Sequence, residues 1–243
     1  MSHSKRKAFV AAVSATMPKE AVETLRHMAA AVVVLPPDPC LPAPVAAHPD
    51  MLLFLLGDTL ITYRSYYAIA GEPLERLLAY TGLRLCLTDH PHGDRYSHDI
   101  GLNALACGKF LFGKLDALAP EVLSLAQAHG LTPVPVAQGY AGCSGLAVGD
   151  VLLTADPSIT KAAQSHGLPV LPAPYEEICL PGYDHGFIGG CGGVWRNIVY
   201  LCGTPTPVQW ERYFTHPLLY GKAIRFLYDG PLFDCGGIRV FPI

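Results

Sequence analysis

Cys143 lies in a glycine-rich stretch, Gly139-Tyr140-Ala141-Gly142-Cys143-Ser144, where a thiolate would be free to attack a carbonyl or amidine carbon. Such a nucleophile needs a proton acceptor, and two candidates stand beside carboxylates, in His48-Pro49-Asp50 and Ser97-His98-Asp99. His48 or His98 would take the thiol proton and later return it to the leaving group. Asp50 or Asp99 would orient that imidazole, or hold a cationic substrate group through charge-assisted hydrogen bonds. Asn103 and Ser144 could donate to a developing oxyanion. Tyr140, His185, Asp234 and Arg239 complete the candidate substrate-binding set. Each has a plainer reading. A free cysteine commonly serves as a small buried apolar side chain, Tyr140 could be a wall residue, and His-Pro or His-Asp pairs cap backbone donors at strand starts. A zinc-type set of His48, His98 and His185 with Asp50 or Asp99 competes with the thiol chemistry. No local HxxxH spacing supports it, so neither a metal nor any other cofactor is expected.

These clusters are spaced like the elements that would position them. Met51 to Leu56, a Gly57-Asp58 turn and Thr59 to Ile61-Thr62 read as a β-hairpin. A helix over Glu72 to Ala79 and a strand over Leu83 to Leu87 follow. The same order recurs as hairpin Leu102 to Phe112 with a Gly108-Lys109 turn, helix Glu121 to His129 stopped by Gly130, and strand Pro133 to Val136. It recurs again as hairpin Gly145 to Thr154 turning at Gly149-Asp150, helix Ser158 to His166 closed by Gly167, and strand Pro169 to Leu171. Asp156-Pro157-Ser158 reads as the start of that helix, with Ser158 or Asp156 as its cap. A fourth copy runs from Phe187-Ile188-Gly189-Gly190 through a turn at Arg196-Asn197 and Ile198 to Leu201. It continues through a helix around Val208 to Phe214 to a strand over Ala223 to Leu227.

The N-terminal piece is half a copy: strand Phe9 to Val13, helix Lys19 to Ala30, strand Ala31 to Leu35. Its missing first strand is supplied by Gly237 to Phe241 at the other end of the chain, which would close a ring of five units and leave fewer exposed strand edges. Equivalent positions of all units then converge on one axis, and His48, Asp50, His98, Asp99, Cys143, His185, Asp234 and Arg239 share a pocket there. Gly189-Gly190 and Gly192-Gly193 read as places where backbones approach closely.

Composition agrees with one α/β domain over residues 1–243. Of 243 residues, 51% are hydrophobic and 15% charged, enough apolar material for a large core and too little charge for disorder. The net charge of −3, with no basic run beyond Lys5-Arg6-Lys7, argues against nucleic acid and acidic membranes as partners. Apolar runs such as Met28 to Leu35 and Met51 to Leu56 are too short to cross a bilayer. The apolar stretch from Ala8 to Val13 is too short for a signal peptide. Eight scattered cysteines without a CxxC pair suit reduced thiols in the cytoplasm. Were Cys143 and Cys235 to face one channel, they could form a regulatory disulfide.

The repeat grammar resembles the guanidino-group-modifying enzyme fold, the pentein fold, a five-bladed αβ-propeller with pseudo-fivefold repeats. Arginine and agmatine deiminases, dimethylargininase, amidinotransferases and a ribosome anti-association factor share it. His48-Pro49-Asp50-Met51, Gln138-Gly139-Tyr140 with Cys143-Ser144, Gly186-Phe187-Ile188-Gly189-Gly190 and Asp234 to Ile243 are similar to an uncharacterised branch of that fold, a domain of unknown function. The resemblance implies a small-molecule substrate held by carboxylates and attacked by a cysteine. In the deiminases that cysteine follows paired glycines near the C-terminus as GG-x-x-C, and Gly236-Gly237-Ile238-Arg239 here leads instead to Val240. His48-Pro49-Asp50 has the form of the deiminase H-x-D, in a different blade. The expectation is a Cys-dependent hydrolase or transferase acting on a small amide- or amidine-bearing metabolite. The alternative is a catalytically silent ring that binds a metabolite or a partner protein.

Overall fold

The computed structural model describes residues 9–175 and 177–243; Lys5-Arg6-Lys7 and Ala8 lie outside them. Five three-stranded sheets recur along the chain. The first unit holds β1 (Phe9–Ser14), α1 (Lys19–Met28) and β2 (Ala31–Leu35). The second begins with a helical turn, α2 (Pro49–Leu52), and continues as β3 (Leu53–Leu56), β4 (Thr59–Tyr63), α3 (Arg64–Thr81) and β5 (Arg84–Thr88). The third has β6 (Leu105–Cys107), β7 (Phe110–Gly113), α4 (Pro120–Ala128) and β8 (Thr132–Pro135). The fourth has α5 (Ala141–Ser144), β9 (Gly145–Val148), β10 (Val151–Thr154), α6 (Pro157–Ser165) and β11 (Val170–Pro172). The fifth has α7 (Ile188–Cys191), β12 (Gly192–Trp195), β13 (Ile198–Leu201), α8 (Pro207–Gln209) running into a π-helical turn, Trp210–Phe214, and β14 (Ala223–Phe226). The last strand, β15 (Arg239–Pro242), has no helix after it.

In each of the four complete units the first strand pairs antiparallel with the second, and the second pairs parallel with the third across the helix. β15 completes the first sheet by pairing antiparallel with β1, Val10 opposite Phe241 and Ala12 opposite Arg239. The start and end of the chain are thereby joined, as the half copy requires. The first strands of all five sheets line one cavity. The hairpin turns are two residues long, which favours a left-handed first residue to match strand twist. Gly57, Gly108 and Gly149 meet that demand, and in the fifth unit Arg196 adopts it, with φ of 55°.

Three expectations are corrected. Met51-Leu52 and Ile188 to Gly190 form helical turns, and Leu102 to Ala104 lie ahead of their strand. Short apolar runs are buried in either conformation, so periodicity does not separate them. The helix expected from Glu72 begins at Arg64; it kinks at Ala70, just ahead of Pro73, whose missing N–H interrupts the ladder. Asp156 caps α6, accepting from the Ile159 N–H at 2.9 Å. No helix among the described residues is long and apolar enough to cross a membrane.

Candidate functional site

The segments leading into the first strands converge because the sheets are arranged as repeats. A cavity of about 290 Å³ is lined by His48 and Met51, Asp99, Tyr140 and Cys143, Tyr183 to His185 and Phe187, and Asp234, together with Val45 and Leu180. Each of the five first strands thus contributes residues from the segment ahead of it. No lysine or arginine is among them.

Cys143 sits on the α5 turn, and Asn103 holds it there. The fully buried Asn103 carboxamide accepts from the Gly142 N–H at 2.7 Å and the Cys143 N–H at 3.3 Å. Its amide nitrogen donates to Cys143 Sγ at 2.9 Å and to the Asp50 carbonyl at 3.1 Å. Cys143 as a residue is 6% exposed. Burial first, then the Asp50 and Asp234 carboxylates, push its pKa well above the ordinary thiol value, and the Asn103 N–H opposes them weakly. In the unliganded protein Cys143 is therefore a thiol.

Asp50 lies beside Cys143 with neither carboxylate oxygen hydrogen-bonded, although the residue is buried. Asp234 is better provided: it accepts from the Phe187 N–H at 2.8 Å and the Gly236 N–H at 3.0 Å. Burial and the nearby Asp50 still raise its pKa to about 7. Room for it depends on Gly190, where an added Cβ would lie 1.8 Å from Asp234 Oδ1. His48 Nδ1 is 3.7 Å from Asp234 Oδ1, too long for a hydrogen bond, and its Nε2 is buried without a partner. Burial lowers the His48 pKa while Asp50 opposes that shift, so the imidazole is neutral near pH 7. Across the cavity Tyr140 donates to Asp99 Oδ2 at 2.5 Å, and Asp99 Oδ1 has no partner. That contact, after burial, pushes the Tyr140 hydroxyl upward and keeps it protonated. Tyr175, His185 and Phe187 form an edge-to-face aromatic wall.

Of the residues singled out in the sequence, the structure brings His48, Asp99, Tyr140, Cys143, His185 and Asp234 to this cavity. Asp50 and Asn103 stand immediately behind. Three do not belong there. His98 is exposed and outside the lining, so it neither serves Cys143 nor joins His48 and His185 around a metal. Ser144 lines a neighbouring cavity with Gln138 and Asp156, its hydroxyl unpaired. Arg239 lies on β15 in the cavity enclosed by the first strands. Asn103 is no oxyanion donor either, since its amide already faces Cys143 Sγ. Cys235 packs with Cys202 in a different core cluster from Cys143, and all eight cysteines are free, which removes the Cys143–Cys235 disulfide. Val240 pairs with Ala11 on the first sheet. The sequence reading assigned no site role to Phe187 and Gly236, whose backbone N–H groups hold Asp234; their signals were the Gly186-Phe187-Ile188-Gly189-Gly190 segment and the paired glycines two residues after Asp234.

Residues 12–239 match the family of unknown function DUF6873. The chain belongs to that family. No curated protein sequence matches this DUF6873 member. Among solved structures it has the fold of a Pseudomonas aeruginosa DDAH mutant complexed with citrulline, at TM-score 0.56 and 12% identity over 96% of this chain and 98% of that one. The cyanobacterial arginine dihydrolase ArgZ is similar at TM-score 0.54 and 12% identity, over 97% of this chain and 39% of that one. SxtG, an amidinotransferase of the Microseira wollei saxitoxin pathway, is similar at TM-score 0.54 and 13% identity, over 90% and 77%. The DUF6873 chain thus has the pentein fold, an α/β architecture of five repeated units.

Proposed function

We propose that the cavity captures a small organic cation of amidine or guanidine type and that Cys143 attacks its central carbon. The observation that carries this reading is a set of buried carboxylate oxygens without partners, both of Asp50 directly behind the Cys143 thiol and Oδ1 of Asp99 in the lining of the same cavity. An unpaired buried carboxylate is costly, and a planar cation with several N–H donors relieves that cost through charge-assisted hydrogen bonds. The same binding event activates the nucleophile. The carboxylates that hold Cys143 protonated are neutralised by the incoming charge, so the thiol becomes easier to ionise when substrate is present.

His48 is the proposed proton carrier, because it is neutral and its Nε2 has no competing partner. It takes the thiol proton; sulfur forms a bond to the amidine carbon; the C–N bond to the leaving amine breaks as His48 returns the proton to that nitrogen. Water then releases the product from sulfur in a hydrolase, or an acceptor amine does so in a transferase. Asn103 positions Cys143 and Tyr140 positions Asp99. The structural relatives include an arginine dihydrolase and an amidinotransferase, which supports this class of reaction. With no lysine or arginine in the lining, a substrate carboxylate would meet Asp99, Asp184 and Asp234 and be repelled. The preferred substrate is therefore a cation without a carboxylate.

Chloroacetamidine and neutral chloroacetamide present the same electrophile with and without the charge. At about pH 7 the amidine should alkylate Cys143 at least about tenfold faster, an advantage that Asp50→Asn abolishes. Equal rates for the two reagents, or modification at other cysteines only, would reject the nucleophile. If amidinium binding then persists by calorimetry, the silent binding ring is the function.

A further inference from the structure

We infer that the cavity enclosed by the five first strands is a separate binding site for a small oxyanion, a phosphate or a carboxylate, held by Arg239. This cavity has a volume of about 220 Å³. Its lining combines glycines, such as Gly145 and Gly193, with apolar residues, such as Leu53 and Ala147, and contains one charged side chain, Arg239. Arg239 Nε is shut off from solvent and has no hydrogen-bond acceptor, and among the described residues no carboxylate pairs with the guanidinium.

Arg239 as a whole is half-buried, and a guanidinium stays charged at every physiological pH, so the buried Nε has no means of relieving its lack of an acceptor by deprotonation. Leaving a buried donor of a charged group unpaired is unfavourable, whereas a two-pronged contact to a carboxylate or phosphate satisfies Nε and a terminal nitrogen together. The size of the cavity admits an ion of a few heavy atoms with its waters and is below the range of sites for larger ligands.

The site is distinct from the acidic one. α5 stands between the two cavities, with Gly142 facing the Arg239 side and Cys143 facing the carboxylate side. Glycine at 189 and 193 lets neighbouring backbones close around the Arg239 side: an added Cβ would run into the Cys143 and Gly145 carbonyls at 189 and into the Ile238 carbonyl at 193. One side of this floor is built for a cation and the other for an anion. The inference needs no catalysis at Cys143.

Calorimetric titration of the full chain with inorganic phosphate and, separately, with succinate at constant ionic strength tests it. Binding of either ion, weakened about tenfold or more by Arg239→Gln, supports the site, and the ion that binds more tightly identifies the source of the oxyanion. Arg239→Lys keeps the charge and loses the planar fork. It guards against a glutamine variant that fails to fold, and it should weaken binding by at least about threefold. No binding of either ion, or binding unchanged in both variants, overturns the proposal. Titration with acetamidine as a control should be unaffected by either substitution, which separates failure here from failure at Cys143.

Discussion

Two buried histidine–aspartate pairs in this molecule are built to different ends. Asp38 accepts from His92 Nε2 at 2.8 Å and from the Cys40 N–H at 2.8 Å, and the imidazole stacks on Tyr63 with centroids 3.8 Å apart. These hydrogen bonds outweigh the burial that opposes them, so the Asp38 carboxyl is held below the usual carboxylate range. His48 and Asp234 are equally buried, yet stand 3.7 Å apart with His48 Nε2 unpaired, and the Asp234 carboxyl is pushed up. The first pair ties the loop after β2 to the loop after β5. The second is left incomplete, with the unpaired Asp50 beside it. Each carboxylate accepts two hydrogen bonds and each imidazole keeps one buried nitrogen without a partner. What differs is that Asp38 is bonded to its imidazole, whereas Asp234 stands apart from His48 and beside the Asp50 carboxylate, which leaves that group of side chains available to a cationic ligand.

The largest effect expected from this contrast is at the hydrogen-bonded pair. Asp38→Ala strands His92 and the Cys40 N–H, and should cost about 3 kcal/mol in urea unfolding. A cost below that of surface substitutions would erase the distinction between the two pairs. Asn103→Ala should cost about 2 kcal/mol, because the Gly142 and Cys143 N–H groups lose their acceptor. It should also slow alkylation by chloroacetamidine, as expected of a positioning residue.

Asp50→Asn should go the other way, stabilising the chain by about 1 kcal/mol near pH 7, since it removes an unpaired buried charge. The sign follows from protonation. Asp234 is pushed to about 7 in the folded chain, above its unfolded value, so the folded state holds the extra proton and stability falls as pH rises between about 4 and 7. Asp50 contributes to that shift, so the advantage of Asp50→Asn should shrink on acidification to about pH 4. Unfolding curves at the two pH values measure it, and an advantage independent of pH would show that Asp50 and Asp234 do not interact.

Much of the fold was legible in the residues. Two-residue turns at Gly57-Asp58, Gly108-Lys109 and Gly149-Asp150 marked three hairpins, and a half copy at the start demanded a strand from Gly237 to Phe241. These are local signals repeated, and repetition amplifies them. The helical turns at Pro49–Leu52 and Ile188–Cys191 were not legible, because a short apolar run is buried in either conformation. Repeat spacing also placed His48, Asp99, Tyr140, Cys143, His185 and Asp234 around one cavity, with Asp50 beside it.

What only the tertiary structure decided was the partner of each polar group. His98 and Asp99 are adjacent in sequence, yet one is exposed and the other buried against Tyr140. Arg239 lies on the first strand of its sheet, whereas the other candidates lie ahead of theirs, and it faces a different cavity. Sequence periodicity sets the segment in which a side chain sits. Whether that side chain is paired, orphaned or turned outward depends on contacts between residues distant in the chain, and the charge state of Cys143 follows from those contacts alone.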